Sequence, residues 1–145
     1  MAAGDKILWV TAPGRVIGTS SETTDSSTFT ALTLIGTITV SLISGKVYKV
    51  ECTAQVASTV ATDAVQVSLV EDSTAGAEIA RGRVIVDASA ANAPGPVPLR
   101  ALYTAVATGS KTFVVAAQRA AGSGNVRREA GTTFPQVLTV TCTGL

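Results

Sequence analysis

KTFVVAAQRAAGSGNVRREAGTTFPQVLTVTCTGL, residues 111–145, decides the fold of this chain. Thr112 to Arg119 reads as a β-strand, the glycine-punctuated stretch after it as an excursion, and Val137 to Thr143 as a final strand. Backbone N–H and C=O groups of a strand need a neighbour or cover on each edge. The final strand is therefore expected inside a sheet rather than fraying at the chain end.

The same period of two extends backwards from this block. Thr37 to Leu42 alternates, Ser44-Gly45-Lys46 turns, and Val47 to Val56 places Tyr48, Val50, Cys52, Ala54 and Val56 on one face. Lys49, Glu51, Thr53 and Gln55 fall on the other. Ala64 to Val70 carries Val65, Val67 and Leu69 inward, residues 71–76 turn, and Glu78 to Val86 follows. Ala88 to Pro98 holds three prolines and a glycine, so it reads as a loop that cannot enter a central strand. Leu99 to Ala107 and the two strands of the last third bring the total to about eight. With turn signals between them and no capped 3.6-residue period, the pattern predicts an all-β antiparallel β-sandwich or jelly roll with little or no helix.

Residues 1–28 differ. Lys6 to Thr11 is a candidate short strand, Pro13-Gly14 breaks it, and Gly18 to Thr28 is a polar run with almost nothing to bury. The expected organisation is an extended N-terminal arm over 1–28 and a β-sandwich domain over 29–145. Trp9, the chain's one tryptophan, lies in the arm. It either folds back to cap the domain or, with Ile7 and Leu8, anchors the arm on a partner.

Composition narrows the function. The 145 residues suffice for one core without metal or disulfide staples. Hydrophobic residues make up 46%, aromatic residues 4% and charged residues 14%, well below the usual quarter for charge. A surface dressed in Thr, Ser and Ala is only weakly repelled by other protein, which suits a subunit packed against neighbours. The net charge of +1, without a basic block, implies neither a nucleic-acid nor an anionic-membrane partner. The first ten residues lack the pattern of a secretory signal, and no apolar run reaches membrane-spanning length, so synthesis in a cytoplasm is expected. Cys52 and Cys142 then read as reduced, buried core residues, with a cross-strand disulfide as the alternative.

No catalytic constellation emerges. Without histidine there is no Ser–His or Cys–His pair and no histidine metal site, and no cofactor or small-molecule substrate is implied. Glu71-Asp72 reads as a solvated turn, and Asp63, Glu78 and Asp87 stand singly. Gly122-Ser123-Gly124 lacks the lysine and helix of a phosphate-binding loop and reads as a flexible hairpin tip. Arg127-Arg128-Glu129 either protects a sheet edge or offers Arg127 and Arg128 to carboxylates on an adjoining subunit. The chain is expected not to be an enzyme.

Four stretches, SGKVYKVECTAQV (44–56), AVQVSLVED (64–72), SKTFVVAAQRAAGSGNV (110–126) and FPQVLTVTCTGL (134–145), carry a family likeness. Over residues 29–145 the sequence resembles the jelly-roll domains of tailed-bacteriophage structural proteins, similar in outline to trimeric TNF/C1q-like heads. Those domains usually end longer chains, whereas this one follows an arm of about 28 residues. The resemblance implies a capsid decoration protein: a homotrimer bridging major capsid protein subunits on the outer surface of a phage head. It transfers no site residue. The alternative it leaves is a minor tail or fibre-tip protein binding a host-surface glycan through the 88–98 and 120–131 loops, which hold no aromatic residue to stack on a sugar.

Overall fold

Alternation builds the domain, and the strands it predicts from Thr37 onward are there, while the candidate strand Lys6 to Thr11 lies outside the described residues. The computed structural model describes residues 12–86 and 91–144. Among them lie nine strands and no helix: β1 (Val16–Glu22), β2 (Thr33–Leu42), β3 (Val47–Ser58), β4 (Ala64–Glu71), β5 (Glu78–Ile85), β6 (Gly95–Thr104), β7 (Gly109–Ala121), β8 (Val126–Glu129) and β9 (Gln136–Cys142). Every pairing is antiparallel. One sheet runs β1-β9-β3-β6, with β8 also pairing β3; the other runs β2-β7-β4-β5. Late strands β9 and β7 thus sit between early ones, the interleaving that defines a jelly-roll sandwich.

The inward residues of β3 are those the alternation assigns, and Tyr48, Val50, Ala54 and Val56 are fully buried. They meet Leu138 and Val140 of their own sheet and Phe113, Val115, Val65, Val67 and Leu69 of the other in a single core. Cys52 and Cys142 are free and buried. Tyr48 pairs with Cys142 and Cys52 with Leu138, so the two thiols sit four residues apart along the strands, beyond bonding reach. Burial pushes the Cys52 thiol up to about 12, so it stays protonated and inert.

Two segments depart from expectation. The polar run beginning at Gly18 was expected as arm or loop, but Val16–Glu22 is edge strand β1, paired with β9 from Val16↔Thr141 to Glu22↔Gln136. Its lack of apolar alternation has a cause. A Cβ on Gly18 would stand 2.4 Å from Val40 Cγ1 and 3.0 Å from Ile38 Cδ1, because the sheets close on each other along this side. The opposite side closes likewise at Gly82, where a Cβ would lie 2.5 Å from Val97 Cγ1. Gly18→Val should therefore cost about 2 kcal/mol, since stiff, buried Val40 cannot yield; a melt unchanged from the parent would show the seam to be slack. The second departure is the proline-rich loop, whose residues 95–98 enter β6. β6 is an outer strand with β3 as its one sheet partner, so Pro96 and Pro98 take the position where a missing N–H is tolerated.

After β1 the chain does not swing free. Ser26 and Phe29 amides donate to the Arg128 and Val126 carbonyls, so this stretch flanks β8 as β1 flanks β9.

Candidate functional site

Register divides the sandwich into two ends. At one, the β2–β3, β4–β5 and β6–β7 turns lie beside the start of β1 and the end of β9. Here the Gly14 amide donates to the Cys142 carbonyl at 2.8 Å. At the other end lie the β1–β2, β3–β4, β5–β6 and β7–β8 connections, whereas β8 and β9 pair in line along one edge of β3, so residues 130–135 leave and rejoin the sheet at its side. The residues expected to touch a partner are split between these ends. Ile7, Leu8 and Trp9 lie outside the described residues; the chain that follows them enters at the first end. Arg127 and Arg128, on β8, belong to the second.

Neither arginine presents a free fork. Arg128 is 7% exposed, on the inward side of β8 opposite Val56. Its guanidinium donates to the carbonyls of Ile35 and, at 2.8 Å, Thr24, and stands 3.6 Å from the Glu22 carboxylate. The β-bulge between Leu34 and Gly36 supplies the Ile35 carbonyl, which also accepts from Gln136 Nε2 at 3.0 Å. Half-buried Arg127 clamps Glu129 and reaches Asn92 Oδ1 at 3.3 Å. Both side chains act within the chain.

The glycine-rich tip does cradle an anion, and the anion is internal. Ser123 and Gly124 amides donate to the Asp63 carboxylate at 3.1 and 2.8 Å, and Ser58 Oγ donates at 2.7 Å. Gly122 is obligatory: its φ is +105°, and a Cβ there would stand 1.7 Å from Asp63 Oδ1. Asp63 is 2% exposed. The Ser58 hydroxyl foremost, then the Gly124 and Ser123 amides and the Arg119 charge, hold its carboxyl below the usual range against the upward push of burial. The Asp63 carbonyl also accepts the Val86 amide at 2.8 Å, and the Asn92 amide donates to Ser58. One carboxylate thus ties the β3–β4 connection to the β7–β8 connection, and backbone carbonyls hold Val86 and Asn92 beside them, so the tip is not a flexible hairpin.

At the first end Glu71 closes β4 rather than joining a solvated turn. Lys111 Nζ sits 2.5 Å from Glu71 and 2.8 Å from Asp72, and Tyr103 O–H donates to Glu71 at 3.2 Å. Burial works against the ammonium, but its bonds to Asp72 and Glu71 outweigh that and raise its affinity for the proton. Asp72 remains largely exposed with φ +61°. Among the described residues no three acidic or cysteine side chains stand together as metal ligands.

The outward side of the β1-β9-β3-β6 sheet is a shallow trough lined by Val16, Thr53, Pro98, Val137, Thr139 and Thr141. Its charges cluster as one carboxylate between two cations: Glu51 lies 2.8 Å from Lys49 and 3.5 Å from Arg100. On the other sheet Gln66, Ser68, Glu78 and Arg81 bond in a chain across the outer surface.

No family model and no curated protein sequence matches this chain. Among solved structures it is similar to the VP2 subviral particle of infectious bursal disease virus, with 10% identity and a TM-score of 0.47 over 88% of this chain. It spans 36% of VP2. It is also similar to the module CsCBM6-3 of Clostridium stercorarium, solved in complex with cellobiose, with 11% identity and a TM-score of 0.38 over 89% of this chain and 95% of the module.

Proposed function

We propose that this chain is a capsid decoration protein of a tailed phage. It binds the outer surface of the head as a homotrimer and stabilises the lattice of the major capsid protein. It acts by contact alone, as a virion component with no catalysis, cofactor or nucleic-acid partner. The observation that carries this reading is the surface: among the described residues, a helix-free sandwich clad in Thr, Val and Pro, most of whose few charges meet an opposite charge within the chain. Such a surface loses little solvation when it is covered. The trough is shallow, and its polar lining is threonine hydroxyls beside the Glu51–Arg100 pair rather than the enclosed cleft of an ordinary small-molecule site.

Three weak footprints on one rigid trimer act as a single strong binder, and selective binding to the expanded lattice stabilises that state by mass action. The segment holding Ile7, Leu8 and Trp9 adds apolar side chains to the contact.

Quantitative mass spectrometry of purified particles tests the proposal. Hundreds of copies per particle, on the head, are expected; a handful on the tail would point instead to host recognition. Deleting residues 1–11 should leave a folded oligomer that attaches far more weakly. Unchanged occupancy of that truncation would remove the segment from the mechanism.

A further inference from the structure

We infer that the domain attaches end-on, through the end bearing the β6–β7 turn, with Val106 seated against an apolar, charge-poor patch of the major capsid protein. The inference rests on the decoration reading and adds its polarity. Val106 is 85% exposed, more than any other large hydrophobic residue described. A solvent-exposed turn ordinarily carries polar residues, whereas this one reads Ala105-Val106-Ala107.

The turn is also rigid. Ala105 N–H donates to Lys46 at 2.9 Å, and Ala105 accepts from Gly45 at 2.7 Å. The Ser44 amide donates to Thr108 Oγ1 at 3.0 Å, and Ser44 Oγ donates to the Val106 carbonyl at 3.3 Å. An apolar knob held in place before contact loses little conformational freedom on docking.

Beside the knob lies a groove of about 230 Å³ over Leu42, Tyr103 and Ala105. Its one cation, Lys111, is already matched by Glu71 and Asp72. The groove is below the size of ordinary small-molecule sites, and with its ammonium already held between two carboxylates it fits an apolar side chain of a partner better than an anion. Residues 1–11 join the domain at this same end, where a Cβ on Gly144 would touch Pro13. The far end exposes Ile85, Leu34 and Val60, each less than Val106, and there Asp63 ties the β3–β4 loop to the β7–β8 loop.

The test uses the full chain on particles, with Val106→Glu at one end and Val60→Glu at the other. Both positions are exposed, so both variants should melt with the parent. Val106→Glu should lower occupancy at least tenfold and Val60→Glu should leave it unchanged; loss from Val60→Glu alone, or equal loss from both, overturns the inference. Hydroxyl-radical footprinting of the unmodified chain gives a second readout. Protection of Val106 on binding supports end-on attachment, and protection confined to Val60 and Ile85 overturns it while leaving decoration intact. If particles never carry the unmodified chain, the decoration reading fails and takes the inference with it.

Discussion

Asp63→Ala should unfold about 10 °C below the parent chain, the largest loss expected from any single side chain here. Without the carboxylate, the Ser123 and Gly124 amides have no acceptor, and the Ser58 hydroxyl keeps only the Asn125 carbonyl at 3.3 Å. Stranding the two amides and losing three charge-assisted bonds costs about 4 kcal/mol in total. Asp63→Asn should help little, because its amide nitrogen would face donors rather than acceptors. The pH dependence has a definite sign. The folded carboxyl titrates below its unfolded value, so its contribution is complete above about pH 4 and is lost as pH falls through the folded value. The parent should thus lose stability in acid, and Asp63→Ala should lack that part of the slope. A variant melting within about 2 °C of the parent would mean the two connections hold without their shared carboxylate.

Arg128→Ala should cost about 3 kcal/mol, against less than about 1 kcal/mol for Arg127→Ala. The truncation leaves the Thr24 carbonyl and the Glu22 carboxylate without their guanidinium, and opens a void beside the Ile35 bulge. Gln136 still bonds the Ile35 carbonyl, which limits the loss. Melting separates two roles for Arg128. An internal strut lowers the transition temperature, whereas a docking residue would lower particle occupancy and leave the melt untouched. The second result would return Arg128 to the partner surface.

Alternation made most of the fold legible. Val47 to Val56 could bury only one face, and the sheet pattern followed from it. What escaped were features whose cause lies on another strand. Nothing local marks Val16–Glu22 as a strand, because its small residues are fixed by the approach of Val40 and Ile38. Pro96 and Pro98 argue against a strand until β6 is known to be outermost. A double arginine between a glycine-rich loop and a glutamate reads as surface. Only register with Val56 turns Arg128 inward, and only the bulge gives it a carbonyl. Asp63 was visible merely as a lone acid. Its amide cradle reads as a flexible hairpin tip, since 60 residues separate it from Ser123.

The pairing of Val16 with Thr141 sets how the domain bears mechanical load. β1 and β9 run antiparallel, and the chain enters and leaves at neighbouring points. Tension applied across both points would peel the two strands apart like a zipper, straining one ladder pair after another. Traction through the leading segment, resisted by the body of the sandwich, instead loads β1 along its length and shares the force among all its bonds with β9. A tether at one terminus therefore makes a stronger fastening than a bridge drawn between both.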